Sequence, residues 1–577
     1  MTDRLDKRAV ADALEQIASF MELKGENVFR VRTFKTVARA VGGLPGTLQE
    51  ALDDGTLAAT KGVGPATLEV ITELAATGRS ALLEELRSQV PPGLVEMLAI
   101  SGLGVAKIRQ IHDTLGIDSL PELEAAALDG RLAALPRFGQ KTADNIRKSI
   151  AFLRQASAFR LAHHAADEAR TLAEALSRVP GVLHATAAGD VRRRCEVVRE
   201  VVIVLTAEVP AAEIFARLSQ VPSVHEFAGQ DERHVTLRFV GGTSAQVVVT
   251  PPLNAGAVLV QATGSEAHVR QLEERALARG CTLRGAALWR GSEFVPTPDE
   301  AALYAALDLP WIPPELREGG GEIAAAADRT LPALIEEADL RGFLHCHTSY
   351  SDGSNSVADL ARGVRDAGYE WIGITDHSQS AAYAGGLSPE ALRRQADEIR
   401  GVGARMPGFR ILHGIEADIL VDGRLDYEND VLARLDFVIG SIHSRFNLSG
   451  PEMTARVLTA LDNPYLTILG HPTGRLLLSR DAYAIDLEAI FAKAGAVGVA
   501  IEINADPHRL DLDWRVLRSA REHGVMISIG SDAHNLAGLD NVPYGVGIAR
   551  KGWLGPDAVL NTRTAEGFLA FGNARRG

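Results

Sequence analysis

Nine residues with metal-ligating side chains follow one another along the C-terminal part of this sequence. They are His345, His347, Asp352, His377, Glu416, His443, His471, Asp532 and His534. Each lies in a short phrase typical of a strand end or a loop, such as LHCHTSYSDG around the first three. Ligands at the carboxyl ends of barrel strands converge on one mouth of the barrel. The pattern therefore predicts a multinuclear metal hydrolase.

The first two histidines show how one strand could present two ligands. Side chains alternate between the faces of a strand, so we expect His345 and His347 to point together and Cys346 to point away. One pair is weak evidence, because a histidine chosen at random from the 16 in the chain is more often a core or surface residue. Six histidines interleaved with three carboxylates are hard to explain in that way. Mixed imidazole and carboxylate ligands suit Zn, Mn or Fe better than Ca.

Length and composition bound the remaining possibilities. A chain of 577 residues is too long for one core, so we expect three or more domains of about 150 residues each. No apolar run approaches a membrane span, the charged N-terminus lacks an apolar signal core, and three cysteines are too few for a disulfide framework. These features predict a cytoplasmic protein with no membrane role. The net charge of -14 argues against a broadly basic protein that coats nucleic acid, so any DNA contact must be local.

One glycine-containing turn recurs in the N-terminal part of the chain. It reads TKGVGPAT at 60–67, ISGLGVAK at 100–107 and LPRFGQKT at 135–142. Each copy opens a predicted helix and leaves backbone N–H groups free to hold a phosphate oxygen, as in helix-hairpin-helix motifs that bind DNA without sequence preference. The alternative is an ordinary helix end, where glycine is also preferred. The predicted DNA-binding residues are Gly62, Gly64, Gly102, Gly104, Lys107, Gly139 and Lys141.

The pattern of elements changes three times along the chain. Residues 1–150 read as short helices, and residues 155–260 as a helix followed by antiparallel strands, which is an α+β layer. Residues 265–315 form a small mixed unit that ends in proline and glycine clusters, and a linker is expected over about 316–335. Beyond it, strands such as FVIGSIH alternate with helices, which predicts a βα-repeat architecture.

These pieces, together with TGSEAH at 263–268, LPWIPPELRE at 309–318 and AGGLS at 384–388, give a resemblance that runs nearly end to end. The chain resembles the bacterial family X DNA polymerases that carry a C-terminal PHP (polymerase and histidinol phosphatase) domain. The resemblance implies a multidomain α and α/β protein that ends in a distorted (β/α)7 barrel. It assigns 1–80 to a helix-hairpin-helix lyase-like domain, 81–155 to fingers with helix-hairpin-helix motifs, 156–262 to a nucleotidyltransferase-type α+β palm, 263–316 to a small thumb, 317–335 to a linker and 336–577 to the PHP domain.

The resemblance also implies roles for the nine ligands, with three divalent metal ions. His345, His347, Glu416 and Asp532 would hold the first ion, Glu416, His443 and His471 the second, and Asp352, His377 and His534 the third. The implied activity is 3'-5' exonuclease and related cleaning of DNA ends by phosphoester hydrolysis. We add Asp376, beside His377, as a candidate outer or proton-handling group. Arg445 and Arg475 are candidate phosphate contacts, with a surface salt bridge as the alternative for each.

The palm departs from the family pattern. Family X palms carry a Gly-Ser turn with two arginines for the triphosphate, and three aspartates that hold two magnesium ions. Here the turn is Gly189-Asp190, followed by Arg192 and Arg193, and the three aspartate positions fall on Glu200, Val202 and Gln246. Valine cannot ligate, glutamine is neutral, and Mg²⁺ demands near-ideal octahedral oxygen geometry. We therefore predict that this nucleotidyl transfer site is inactive, that Mg²⁺ is absent from the palm, and that the palm positions DNA.

The lyase activity of the family is also doubtful on these residues. The Schiff-base lysine would fall near Val70, which has no amine, and Lys61 and Lys35 are unsupported substitutes.

Four functional hypotheses follow. The first is a DNA-end nuclease acting on gapped, nicked or 3'-ended DNA, expected to be monomeric and nucleoid-associated. The second is a fully bifunctional DNA polymerase and 3'-5' exonuclease. The third is a non-catalytic DNA-binding scaffold, disfavoured because structural metal sites are usually closed single-ion shells. The fourth is a small-molecule phosphatase of the histidinol-phosphatase type, which would not need the N-terminal half.

Overall fold

The structure is a computed structural model that describes residues 7–44, 48–60, 62–100, 102–156, 158–218, 224–239 and 244–576. Lys61 lies outside the described residues. The chain divides into two compact units: residues 1–158 with 478–480, and residues 159–477 with 481–577.

The first unit is helical, as the sequence predicts. Its core is an apolar cluster that includes Leu14, Ile71, Ile108 and Ile146, each within 2% of complete burial. Its helices are α1 (Lys7–Lys24), α2 (Val28–Gly42), α3 (Leu48–Asp53), α4 (Thr56–Ala59), α5 (Pro65–Thr77), α6 (Ala81–Gln89), α7 (Pro92–Glu96), α8 (Val105–Leu115), α9 (Leu120–Leu128) and α10 (Gln140–Ala156).

The second unit begins with the palm. A five-stranded sheet of order β2-β4-β7-β6-β5 is antiparallel except for the parallel pair β4 and β7. Alternate residues of β4, such as Ile203 and Leu205, pack in one apolar cluster, and Val204 packs in a second cluster with Val258. The elements are β1 (Arg160–Leu161), α11 (Ala162–Leu176), β2 (Val182–Ala188), α12 (Gly189–Arg192), β3 (Val197–Val198), β4 (Val201–Ala207), α13 (Ala211–Leu218), β5 (Val224–Gln230), β6 (His234–Phe239) and β7 (Ser244–Thr250).

A small helical and stranded segment follows the palm sheet. Its three strands form a separate antiparallel sheet of order β10-β9-β8. Its elements are α14 (Ala255–Thr263), α15 (Glu266–Ala278), β8 (Cys281–Arg284), β9 (Ala287–Arg290), β10 (Glu293–Val295), α16 (Glu300–Ala306) and α17 (Glu322–Ala327).

The C-terminal part is a parallel barrel. Its sheet has the order β13-β12-β11-β18-β17-β16-β15-β14. Its elements are β11 (Gly342–Cys346), α18 (Val357–Asp366), β12 (Trp371–Ile374), α19 (Pro389–Gly403), β13 (Arg410–His413), β14 (Glu416–Asp418), α20 (Asn429–Leu432), β15 (Ile439–Ser441), α21 (Gly450–Leu461), β16 (Ile468–Leu469), α22 (Leu487–Val497), β17 (Ala500–Asn504), α23 (Leu517–Glu522), β18 (Ile527–Ala533), α24 (Val542–Lys551) and α25 (Ala565–Asn573).

The two edge strands of this sheet explain how it curls. β13 and β14 stand at opposite ends of the sheet order, yet only Gly414 and Ile415 separate them in the chain. Added to Gly414, a Cβ atom would come within 2.6 Å of the Phe437 ring, so the chain passes this corner in close contact with the core. Counted as one kinked strand, β13 and β14 reduce the eight-stranded curled sheet to seven strands, the number that the family resemblance implies.

Within the second unit, ion pairs connect the barrel to the palm and to the segment that follows the palm sheet. Glu196 accepts hydrogen bonds from Arg515 at 2.6 Å and from the Trp514 indole at 3.1 Å. Lys551, at the end of α24, is fully buried against Glu318. Within the residues described above, no helix combines the length and the apolar character needed to cross a membrane.

Candidate metal centre

Glu416 lies at the centre of the nine predicted ligands. It begins β14 and is 1% exposed. Nitrogens of five histidines, from four other segments of the chain, surround its carboxylate. The distances from Glu416 are 3.3 Å to His345 Nε2, 3.7 Å to His347 Nε2, 2.9 Å to His377 Nδ1, 3.2 Å to His443 Nε2 and 3.0 Å to His471 Nε2. One carboxylate is therefore shared by ligands from most of the barrel.

Asp532 and Asp352 bring in the remaining ligands. Asp532 Oδ1 lies 3.3 Å from His347 Nε2 and 3.7 Å from His345 Nε2. Asp352 lies 3.4 Å from His534 Nε2 and 3.6 Å from His377 Nε2. All nine residues thus meet at the mouth of the barrel, where the sequence placed them.

The nearest-neighbour groups differ in detail from the grouping implied by the resemblance. Sets of donor atoms that lie within 4.8 Å of one another are His347, Asp352, His377 and His534; His345, His471 and Asp532; His345, His347 and Glu416; and His377, Glu416 and His443. The third implied set is found with His347 added. His471 differs most, because it groups with His345 and Asp532 as well as approaching Glu416.

Buried polar atoms test whether these residues fit metal ions. His345 Nε2, both ring nitrogens of His347, His377 Nδ1, Glu416 Oε2 and His471 Nδ1 are buried with no hydrogen-bond partner among the described residues. Buried polar atoms are normally satisfied, and an orphaned group calls for an explanation such as a bound ion. A cluster of such atoms that face one another fits a divalent metal centre.

The backbone is strained at three of the ligands. His345 has φ 57°, Asp532 has φ 51° and His471 has φ 21°, in the left-handed region that non-glycine residues rarely adopt. Such residues cost about 1–3 kcal/mol each and persist where the surrounding structure fixes them, often at functional sites. The regular alternation expected for His345 and His347 is therefore interrupted, and the pairing of β11 with β18 shifts register there. The two rings still converge, with centroids 5.4 Å apart.

Two outer carboxylates escaped the sequence analysis. Glu502 on β17 accepts from His345 Nδ1 at 2.5 Å and from the His471 backbone N–H at 2.8 Å. Asp418 on β14 contacts His443 Nδ1 at 2.6 Å. Carboxylates that hold the second nitrogen of a ligating histidine fix its tautomer and orientation. Strand alternation could have identified Asp418, because it stands two positions after Glu416 on the same strand.

Asp376 lies behind the ligands and is fully buried. Its carboxylate accepts from the Thr348 N–H at 2.8 Å, the Thr348 hydroxyl at 2.6 Å, the Ser351 hydroxyl at 2.5 Å and the Gln395 amide at 2.5 Å. It therefore fastens the loop that carries His347 and Asp352. This arrangement suits the outer role offered for Asp376, as a residue that positions the ligand-bearing loop, and it leaves the carboxylate's acceptor sites occupied.

The arginines at the mouth fall into two kinds. Arg475 donates to the Arg509 carbonyl at 3.0 Å and pairs with Asp513 at 2.8 Å, so it is committed to internal contacts. These contacts favour the salt-bridge alternative for Arg475 over its candidacy as a phosphate contact. Arg445 is exposed and keeps its candidacy. Arg509, which the sequence analysis did not name, places Nε 3.5 Å from Asp532 Oδ2 and faces the ligand cluster.

Charges within the cluster shift several pKa values. Burial would raise the pKa of Glu416, but the imidazoles of His443 and His345 outweigh it and hold that pKa well below its usual range. Burial opposes protonation of His443, yet Glu416 and Asp418 raise its pKa to about 10. Burial and the neighbouring His534 lower the pKa of His347 to about 4. Ligand imidazoles must be neutral, so metal binding here would release protons.

The three palm positions where the resemblance implies aspartate lie on or directly before two neighbouring strands. Val202 on β4 pairs with Gln246 on β7. Val202 packs with an apolar cluster that includes Val204 and Val248, and its methyl group fills the space beside Gly189, 3.2 Å from where a Cβ would stand. Glu200 precedes β4, and burial raises the pKa of its carboxyl.

The arginines of the turn at Gly189 bind carboxylates of the chain itself. Arg192 makes a two-pronged pair with Glu300, at 2.6 and 2.8 Å. Arg193 pairs with Asp190 at 2.5 Å and with Glu318 at 3.0 Å. Planar guanidinium groups hold phosphates through the same fork geometry. The two arginines therefore already have anionic partners supplied by the chain.

The glycine turns of the first unit open helices as predicted. Gly62 and Gly102 adopt φ 98° and 78°, and Gly64 and Gly104 cap the N-termini of α5 and α8. A Cβ on Gly64, Gly104 or Gly139 would meet nothing within 4 Å, so these turns face open space. Gly139 and Lys141 flank the start of α10. Lys107 donates to the Gly102 carbonyl at 2.8 Å, across its own turn.

Family models match four segments of the chain. They are a helix-hairpin-helix domain over residues 6–80, a SAM-like helix-hairpin-helix tandem over 94–151, a DNA polymerase beta thumb over 258–318 and a PHP domain over 344–506. These modules, with the palm sheet and the ligand cluster between and after them, define a multidomain enzyme of nucleic-acid processing.

Relatives narrow this class to one family. The DNA polymerase/3'-5' exonuclease PolX of Bacillus subtilis (strain 168) is 36% identical over 572 residues, which is 98% of this chain and 99% of that protein. The chain belongs to the PolX family. Its C-terminal part is also similar to probable phosphatases of Caldicellulosiruptor bescii, at 29% identity over 39% of this chain and 93% of that protein, and of Thermoanaerobacter sp., at 28% over 38% and 89%.

Proposed function

We propose that this protein is a DNA-end nuclease, a metal-dependent 3'-5' exonuclease and phosphoesterase whose active site is the barrel mouth. Its substrate is gapped, nicked or 3'-ended DNA, it acts as a monomer, and it is nucleoid-associated. The observation that carries the proposal is the shared carboxylate of Glu416, which five histidine nitrogens approach within 3.7 Å. Three divalent ions, of Zn, Mn or Fe, fit the nine ligands by donor type.

When bound, the ions supply an activated water and stabilise charge on the phosphoryl oxygens. The chain's own residues do the rest. Glu502 and Asp418 hold His345 and His443 by their second nitrogens, so the ligand shell is fixed before substrate arrives. Arg509 and the exposed Arg445 are candidates to bind the non-bridging phosphate oxygens through charge-assisted hydrogen bonds.

We propose that the palm is a DNA-positioning scaffold with no nucleotidyl transfer. The support is the apolar packing of Val202 and the pairing of Arg192 and Arg193 with carboxylates of the chain. The glycine turns at Gly64, Gly104 and Gly139 are the proposed contacts to the DNA backbone, because a Cβ at each would meet nothing within 4 Å and a phosphate could approach these helix N-termini closely.

Shortening of a 3'-tailed duplex tests the nuclease proposal. With Mn²⁺, the unmodified protein is expected to shorten the strand labelled at its 5' end, and His345→Ala and Asp532→Ala are expected to abolish the reaction. Arg362→Ala, on the exposed face of α18, is the matched control. Undiminished shortening by both ligand variants would overturn the proposal.

A second candidate is the bifunctional enzyme, which the name of the Bacillus subtilis relative favours. Primer extension with Mg²⁺ or Mn²⁺ separates the two. Extension that disappears in Glu200→Ala would establish the bifunctional enzyme. The similarity to probable phosphatases favours a third candidate, a small-molecule phosphatase. Turnover of nitrophenyl phosphate without DNA shortening would support it.

A further inference from the structure

An exposed aromatic ring stands at the margin of the metal centre. Tyr383 is 73% exposed. Its ring centroid lies 6.1 Å from that of His377 and 6.5 Å from that of His443. The nine ligands and Arg509 present imidazole, carboxylate and guanidinium groups, and Tyr383 adds a flat, largely apolar face beside two of the ligands.

The loop that carries Tyr383 is held firmly in place. The backbone N–H of Ser380 donates to Asp426 at 2.6 Å, and the Gln379 amide donates to the Asp426 carbonyl at 3.0 Å. A Cβ on Gly386 would lie 1.9 Å from the Ser378 carbonyl oxygen, so the two sides of the loop are in contact. The restrained loop therefore holds the exposed Tyr383 ring in a fixed position beside the metal centre.

Tyr383 and Arg509 lie beside different ligands at the mouth of the barrel. Tyr383 flanks the group formed by His377, Glu416 and His443, whereas Arg509 flanks Asp532. A nucleotide at a DNA end has two parts to bind: a phosphate, which metal ions and guanidinium groups bind, and a base, which stacks on an apolar face. Aromatic side chains provide that face for unpaired bases, whatever the sequence.

We infer that the Tyr383 ring stacks on the base of the 3'-terminal nucleotide and thereby seats its phosphodiester on the metal centre. This inference rests on the proposed nuclease function and deepens it, since it makes an unpaired terminal base the preferred substrate feature. Stacking needs the ring and not the hydroxyl. The expected loss on removing the ring is roughly tenfold in affinity, as for one base stacked on an aromatic side chain.

The test compares Tyr383→Ala, Tyr383→Phe and the control Val421→Ala, which removes another exposed apolar side chain of the barrel. The assay is Mn²⁺-dependent shortening of DNA. Its substrates carry either a normal or an abasic 3'-terminal nucleotide. Tyr383→Ala is expected to raise KM about tenfold on the normal end and to leave KM unchanged on the abasic end. Tyr383→Phe and Val421→Ala are expected to match the unmodified protein.

A binding measurement without turnover accompanies the kinetics. The probe is an oligonucleotide with 2-aminopurine at its 3' end and a phosphorothioate last linkage, whose fluorescence falls when the base stacks. Quenching by the unmodified protein and by Tyr383→Phe, weakened in Tyr383→Ala, supports the inference. Equal quenching and KM in all proteins, or a loss in Tyr383→Phe equal to that in Tyr383→Ala, overturns it. Failure of the unmodified protein to shorten DNA at all would instead overturn the nuclease proposal.

Discussion

Glu502 holds His345 through its Nδ1 atom at 2.5 Å, and with its other oxygen it accepts the backbone N–H of His471 at 2.8 Å. One fully buried carboxylate on β17 thus orients ligands that belong to β11 and to the loop after β16. His345 and His471 both have positive φ, so the contact also holds two unusual backbone positions in place.

Glu502→Gln is expected to weaken metal binding by about 10- to 100-fold, the usual effect of removing an outer carboxylate. Glutamine keeps the shape, but it removes the charge that supports the His345 imidazole and turns an NH₂ group toward a donor. Mn²⁺ titration by calorimetry measures the effect. The control is Glu488→Gln, which changes an exposed carboxylate of α22. Equal Mn²⁺ affinity in all three proteins would show that Glu502 has no such role.

Asp376→Ala is expected to destabilise the second unit by roughly 3 kcal/mol, because it strands several buried donors at once. The partners left behind include the Thr348 N–H and the Gln395 amide. Urea unfolding of the metal-free protein measures the change. Asp359→Ala, at the half-exposed N-terminus of α18, is expected to cost about 1 kcal/mol or less. A loss for Asp376→Ala no larger than this would contradict the positioning role.

The Arg192 and Glu300 pair predicts a pH dependence of stability. Burial alone would raise the pKa of Glu300, but hydrogen bonds from Arg317 and Arg192 outweigh it and lower that pKa from 4.5 to about 2. A depressed folded-state pKa stabilises the protein above the unfolded value and loses this contribution as the pH falls through the folded value. Glu300→Gln is therefore expected to lose about 3 kcal/mol at pH 7.

The same measurement at lower pH checks the sign. In urea unfolding, the difference between Glu300→Gln and the unmodified protein should shrink steadily between pH 5 and pH 3. A difference that stays constant or grows over this range would show that Glu300 is not held ionised by the two arginines.

Arg509→Ala is expected to lower kcat/KM on DNA ends by about 10- to 100-fold, the worth of one hydrogen bond to a charged group. Its stability should change little, because its contact with Asp532 is long, at 3.5 Å. Arg475→Ala is expected to do the reverse and to destabilise the barrel, since its guanidinium bonds internal groups. Steady-state kinetics and urea unfolding of the two variants, with Arg410→Ala as the exposed control, distinguish the roles.

Much of this fold was predictable from the chain. Helical periodicity and glycine turns predicted the first unit, and alternating strands and helices predicted the βα-repeat architecture of the C-terminal part. The kink at Gly414 was not predictable, because it depends on contact with Phe437, which is distant in sequence.

Within the site, ligand types and spacing predicted all nine residues that meet at the mouth. The backbone strain at His345 was missed because alternation assumes a regular strand. The internal contacts of Arg475 could not be foreseen, because nearness in sequence to His471 says nothing about the carbonyl groups that its guanidinium meets in space. Arg509 was missed for the matching reason, because it is not close in sequence to any of the nine ligands.

The arginine pairs of the palm bear on any attempt to engineer polymerisation into this chain. Replacing Val202 and Gln246 with aspartate would place two new negative charges at half-buried positions, the first beside an apolar cluster, while Arg192 and Arg193 stay bound to Glu300 and Asp190. Each intermediate variant would carry a partly desolvated charge without a partner, which is unfavourable. The carboxylate positions and the arginine pairs would therefore have to be changed together. A stepwise library that selects for folded protein at every round would lose the single-step intermediates.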